Sequence, residues 1–337
     1  MYDKLEKILA SRDWLLADGA TGTNLFDMGL TSGEAPELWN ERYPQRIARL
    51  HTLTLEAGSD LFLTNSFGSN AARLRLHGAQ HRARELSRLS AEIACDVADR
   101  YPRPIVVAGS VGPTGEIMSP LGSLTHELAV EIFHEQAEGL KEGGADVLWL
   151  ETISSIEELK AASVAFKLAS MPWCGTMSFD TAGRTMMGVT AQSVLETVGQ
   201  MPNIPVAFGA NCGVGASDLM RTVLSFTSQD TKIPIIAKGN AGMPEYFDGH
   251  VHYSGTPELM ADYAILARDA GAKIIGGCCG TTLDHIARMR AALEERPRGE
   301  RPTLETIRHA LGEFSSVSDG NDKTQGGTIR RNRRRRN

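Results

Sequence analysis

Aromatic residues make up only 6% of this 337-residue chain, and cysteine occurs five times. Five cysteines, with no secretory context around them, argue against a disulfide framework and suit a reducing compartment. No apolar run approaches the ~20 residues of a membrane-spanning helix, so no membrane partner is expected. The opening Met1-Tyr2-Asp3-Lys4-Leu5-Glu6 is too polar for a secretory signal, and the expected location is the cytoplasm. Positive charge is also in short supply: 35 Lys and Arg face 41 Asp and Glu, a net charge of −6. The folded part therefore has no electrostatic reason to bind nucleic acid. What remains, 42% hydrophobic and 23% charged, is the composition of a globular protein with a sizeable core.

Short apolar runs alternate with amphipathic stretches, the pattern of βα units on a parallel sheet. Strands are expected at 14–17, 61–64, 105–108, 147–150, 174–179, 206–209, 233–237 and 273–275. Helices are expected at 45–57, 83–100, 126–142, 156–169, 193–200, 216–226, 257–270 and 283–295. Eight such units predict an α/β fold, a single-domain (β/α)8 TIM barrel over residues 1–312 with a leading helix at 1–12. From 313 to 337 the chain turns polar and ends in an arginine-rich run, Arg330 to Arg336, which reads as a disordered basic tail.

In such barrels the active site is built where the strands end. Here they run into Asp18-Gly19, Asn65-Ser66, Gly109-Ser110, Glu151-Thr152, Asp180, Asn211-Cys212, Gly239-Asn240 and Gly276-Gly277-Cys278-Cys279. Cys212 at the sixth strand and Cys278-Cys279 at the eighth can converge on one side of the mouth. Three thiolates suit a catalytic Zn2+ with its fourth tetrahedral position open. So negative a centre is a poor Lewis acid for hydrolysis, but it can hold an exogenous thiolate and keep it nucleophilic, which points to alkyl transfer to a thiol. A vicinal disulfide and simple burial are the other readings of these three. Cys95 and Cys174 fit a hydrophobic core. Lys238, at the end of the seventh strand, could instead serve a Schiff-base enzyme. His250-Val251-His252 could be read as a second metal site, although such a pair in a polar loop is usually solvated.

The blocks Asp18–Thr23 (DGATGT), Leu63–Gly68 (LTNSFG), Gly112–Glu116 (GPTGE), Leu150–Thr152 (LET), Gly209–Cys212 (GANC) and Gly276–Thr282 (GGCCGTT) stand in an order and spacing that resemble the homocysteine S-methyltransferase family. That family includes betaine-dependent enzymes, S-methylmethionine-dependent enzymes and the homocysteine-binding module of cobalamin-dependent methionine synthase, and the likeness runs from about Trp14 to Arg290. It implies Cys212, Cys278 and Cys279 as zinc ligands, with homocysteine sulfur as the fourth. It also implies that Asp18 and Glu151 hold the substrate amino group, with Asn65 nearby. Gly19 and the stretch Gly109 to Gly112 could cradle the substrate carboxylate. For the methyl donor, Trp39, Tyr43 and Phe67 could offer aromatic faces to a small onium such as betaine. Gly68 and Thr152, however, stand where betaine enzymes of the family carry tyrosines. The alternative is a methyl delivered by a corrinoid-binding partner protein, and a lesser one is S-methylmethionine or another sulfonium.

Overall fold

The structure, a computed structural model, describes residues 4–247 and 250–318. Eight parallel strands close into a barrel: β1 (Leu15–Leu16), β2 (Leu61–Leu63), β3 (Val106–Val111), β4 (Val147–Ile153), β5 (Trp173–Met177), β6 (Ala207–Cys212), β7 (Ile235–Gly239) and, after an antiparallel hairpin of β8 (Pro244–Phe247) and β9 (His250–Tyr253), β10 (Ile274–Gly277). The ladder runs β1-β10-β7-β6-β5-β4-β3-β2. It is joined across β1 and β2 by the parallel pair Ala17–Leu61 and by the Asp60 N–H donating to Leu16 O at 2.7 Å. The single-domain (β/α)8 barrel expected from periodicity is thus the fold, with strand and helix bounds displaced by only a residue or two at most ends.

Strand alternation explains the interior. Leu15, Ala17, Leu61, Leu63, Val106, Ala108, Val147, Trp149, Cys174, Ala207, Ile236 and Ile274 form one buried cluster, each at every second position of its strand. Leu5 and Ile8, from the leading helix Lys4–Ser11, complete this cluster and close the N-terminal end of the barrel. The outer faces of the strands pack against the helices in a larger cluster that includes Phe133, Phe166, Phe208, Phe226 and Tyr263. Helix starts are set by side-chain caps: Thr125, Ser155, Thr190, Thr256 and Thr303 each accept a backbone N–H of the first turn.

Several elements add to the expected pattern: short helices after β1 and β2, the β8–β9 hairpin and a final helix, Leu304–Leu311. Of the segment expected as a tail, residues 313–318 lie along helix Ala216–Thr227, where Arg221 stacks on Phe314 at 4.3 Å and donates to Ser316 O. The arginine-rich run lies outside the described residues, as do the side chains of His250 and His252. Among the described residues no helix is long and apolar enough to cross a membrane. Cys174 is in the barrel interior, and the half-buried Cys95 donates to Gly144 O at 3.2 Å.

Candidate active site

The alternation that fills the barrel also builds its mouth. One step beyond the last apolar layer, the inward positions of β3, β4, β6 and β7 are Ser110, Glu151, Asn211 and Lys238. Ser110 Oγ donates to Glu151 Oε1 at 2.5 Å. Lys238, 2% exposed, pairs with Asp18 at 2.5 Å, and the second oxygen of Asp18 accepts the Leu63 N–H at 2.8 Å. The ammonium also lies 5.7 Å above the Trp149 ring. Burial works against the charge on Lys238, but Asp18 and Glu151 outweigh it and hold its pKa above the ordinary lysine value. An amine whose charge a buried carboxylate holds in place is a poor nucleophile, which argues against Schiff-base chemistry at this lysine. Glu151 is pushed up to about 7 by burial, with Lys238 opposing and Cys278 adding to the rise.

Strained backbone carries one of the cysteines and its neighbour across the strands. Cys212, the last residue of β6, has φ +60°, and Thr152 in β4 has φ +62°. Both lie in the left-handed region that side chains with a Cβ avoid. Asn211 clamps them together: its Oδ1 accepts the Thr152 N–H at 3.0 Å, and its Nδ2 donates to Thr152 Oγ1 at 2.8 Å and faces Cys278 Sγ at 3.6 Å. From β10 the Cys278 N–H bonds to Gly239 O at 2.7 Å, and Cys279 O accepts the Ala241 N–H at 3.0 Å. Gly280, at φ +75°, admits the Tyr253 ring: a Cβ there would stand 2.2 Å from it. These constraints bring the sulfurs of Cys212, Cys278 and Cys279 within 4.8 Å of one another, with Cys212 and Cys279 3.9 Å apart. That is far beyond the ~2.05 Å of a disulfide, and all three are free thiols. They are the one cluster of metal-ligating type among the described residues. Hydrogen bonds from Cys212 and Cys278, helped by one from Tyr253, hold the Cys279 thiol far below its ordinary pKa despite burial. Cys212 is pushed up in turn by those same bonds and by burial.

A cavity of about 450 Å³ joins these groups and is within the range of small-molecule sites. Of the residues expected from the sequence, Gly19, Asn65, Phe67, Glu151 and all three cysteines line it. Gly19 has to be glycine, since a Cβ would lie 2.6 Å from Thr281 O. Asn65 is at the wall, but its amide is committed to Pro36 O at 2.8 Å and Asn40 Oδ1 at 3.0 Å, so it shapes the site. Asp18 reaches the site only behind Lys238. The structure does not bring Trp39 to the cavity. It is 1% exposed and packed with Leu25, Leu30, Ile47 and Leu50 beneath the loops. Tyr43 lies edge-on to Trp39 under the Arg46 guanidinium, also away from the cavity. Nor is the stretch Gly109 to Gly112 free to form a nest, because the N–H of Ser110 bonds to Thr64 Oγ1 and that of Gly112 to Phe67 O. Conversely, Glu37, Arg73 and His77 line the cavity without having been marked by the sequence, and with them Ser110, marked only within the Gly109 to Gly112 stretch, and Lys238, marked only for Schiff-base chemistry. Strand parity would have found Ser110 and Lys238; nothing in the sequence announces the others.

Comparison with known proteins agrees with this geometry. The profile of the family described as homocysteine S-methyltransferase matches residues 15–293. The methionine synthase of Mycobacterium leprae is 32% identical over 308 residues, and that of Mycobacterium tuberculosis 31% identical over 317. These alignments cover 85% and 89% of this chain but 25% and 26% of the relatives, so the chain spans about a quarter of their length. Among solved structures, the homocysteine methyltransferase MmuM of Escherichia coli superposes in its metallated form with a TM-score of 0.72 at 25% identity, over 86% of this chain and 99% of that one. Its oxidized form gives 0.71 at 26% identity.

Proposed function

Because the chain belongs to the homocysteine S-methyltransferase family, we propose that it forms methionine by moving a methyl group from a small onium donor such as betaine to homocysteine, with zinc on Cys212, Cys278 and Cys279. The donor set fits the metal. Sulfurs at ~2.3 Å from one zinc in tetrahedral array stand ~3.8 Å apart, against 3.9 Å between Cys212 and Cys279. When bound there, zinc would hold the substrate sulfur as a thiolate at neutral pH.

The chain's own residues supply the rest. Glu151, half-buried and oriented by Ser110, would receive the substrate ammonium by a charge-assisted hydrogen bond. Lys238 offsets the negative charge of Asp18 and Glu151, so that the site is not overwhelmed by anions. The homocysteine thiol gives its proton to solvent, and its sulfur bonds to the methyl carbon as the carbon–onium bond breaks. That electron pair stays on the departing nitrogen or sulfur, and the donor leaves as a neutral amine or thioether. The observation that carries this reading is the sharing of one cavity by three cysteine sulfurs and the half-buried carboxylate of Glu151.

A specific observation favours the second reading, a methyl carried by a corrinoid-binding partner: only Phe67, of the three aromatic candidates, lines the cavity. Zinc-loaded protein given homocysteine and, in turn, betaine, S-methylmethionine, dimethylsulfoniopropionate, methylcobalamin or methylfolate decides between them. Methionine from an onium upholds the first reading. Methionine from methylcobalamin alone replaces it with the second.

Glu151 also predicts a pH dependence whose sign is fixed. Its carboxyl ionises near pH 7, and only the carboxylate attracts an ammonium. Binding of methionine, which has no thiol to confuse the titration, should weaken as pH falls, roughly tenfold between pH 8 and pH 6. Glu151→Gln should flatten that dependence. Calorimetric titration across the range checks both, and an unflattened curve in the variant assigns the amino group to another residue.

A further inference from the structure

Of the arginine and lysine side chains on the cavity wall, Arg73 is the one that the reaction as described leaves unused. It sits on the short helix Ala71–Leu74, where its own N–H is accepted by Oδ1 of the fully buried Asn70 at 3.0 Å. Gly115, at φ +78°, packs behind the guanidinium; a Cβ there would come within 3.4 Å of Nη1. The guanidinium lies 5.9 Å from the Phe67 ring centre, the outer limit of a cation–π contact. Among the described residues it donates no hydrogen bond and closes no ion pair. Its two nearest carboxylates already serve the backbone: Glu37 accepts the Gly68 N–H at 2.7 Å, and Glu158 accepts the N–H and hydroxyl of Thr114, both at 2.7 Å. A fork of N–H donors on the cavity wall beside Phe67, with no carboxylate in hydrogen-bond contact, is a receptor for a planar anion.

We propose that Arg73 binds a carboxylate of the methyl donor and so selects donors that carry an onium and a carboxylate on one small molecule. This rests on the onium reading above. Phe67 and the buried Glu37 offer the cationic end an aromatic face and a negative potential, while Arg73, beside Phe67, takes the anionic end. A donor held at both ends has its methyl orientation fixed, which a single aromatic face could not achieve. The residue determines specificity and does not touch the transferred methyl.

The experiment measures kcat/KM, at saturating homocysteine, for a carboxylated onium (betaine or dimethylsulfoniopropionate) and for onium ions without one (choline, trimethylsulfonium), in the zinc-loaded wild type, Arg73→Gln and Arg73→Lys. In Arg73→Gln the preference for the carboxylated donor should fall roughly ten- to a hundredfold, the worth of a charge-assisted hydrogen bond. Arg73→Lys, which keeps the charge but not the fork, should recover only part of it. Equal losses on both donor classes, or no loss on either, overturn the role of Arg73 while leaving the onium reading intact. Calorimetry with betaine covers the remaining case: a wild type that neither turns over nor binds any onium overturns both.

Discussion

Zinc-loaded Cys212→Ala and Cys279→Ala should each lose nearly all their metal on dialysis while keeping the barrel's circular dichroism. Replacing residues that merely orient a ligand costs ~10- to 100-fold in metal affinity, so removing one of three ligands should cost more than that, and methyl transfer should fall with it. The three cysteines belong to neither of the large hydrophobic clusters of the barrel, so the loss should be confined to the site. Strain offers a control. Cys212 holds φ +60°, a conformation that costs ~1–2 kcal/mol for a residue with a Cβ and little for glycine. Cys212→Gly should therefore be as metal-poor as the alanine variant but more resistant to thermal unfolding than it. Full metal in either alanine variant would remove that cysteine from the ligand set. Equal melting temperatures would mean that the local backbone relaxes.

Lys238→Met should be among the most destabilising single changes in the chain. It leaves the buried Asp18 without its ion-pair partner and the nearby Glu151 without its cation, and breaking a buried pair by removing one partner costs ~3–5 kcal/mol. The double variant Asp18→Asn/Lys238→Met should be more stable than the single one, because one orphaned charge is gone. Urea unfolding with tryptophan emission measures this, Trp149 lying directly under the ammonium. The same ion pair predicts that borohydride with carbonyl compounds will trap no adduct at Lys238. An adduct there, or a double variant no better than the single, would show the ammonium to be free.

How much of this could be read in advance follows from which physics is local. Apolar periodicity located all eight barrel strands and their principal helices, since burial of a strand face or helix stripe leaves a repeat that survives any detail of packing. The sulfur cluster was legible for the same reason: Cys212 and Cys278-Cys279 end strands whose places in the barrel follow from counting. Trp39 and Tyr43 were not, because they lie on a helix of only four residues, Trp39–Arg42, and at its junction with the next helix. No period there says which side chain turns inward, and hydrophobic burial claimed Trp39 for the core. Asp18 was found as a strand-end acid, but its partner Lys238 is 220 positions away, a distance across which sequence alone carries no pairing signal. Glu37 and Arg73 meet at the cavity only because two loops fold over the same corner of the barrel.

The plug of Leu5 and Ile8 at the floor of the barrel has a kinetic consequence. Passage through the barrel is blocked at the N-terminal end, so both substrates and both products must use the single mouth. Under the function proposed above, homocysteine anchored by its sulfur at the cysteines and by its ammonium at Glu151 would take the inner berth, with the donor between it and solvent. Traffic through a cul-de-sac is last in, first out. Homocysteine should enter before the donor, and the demethylated donor should depart before methionine can follow. Methionine would then compete with homocysteine for free enzyme, whereas a dead analogue of the donor would bind only after homocysteine is in place.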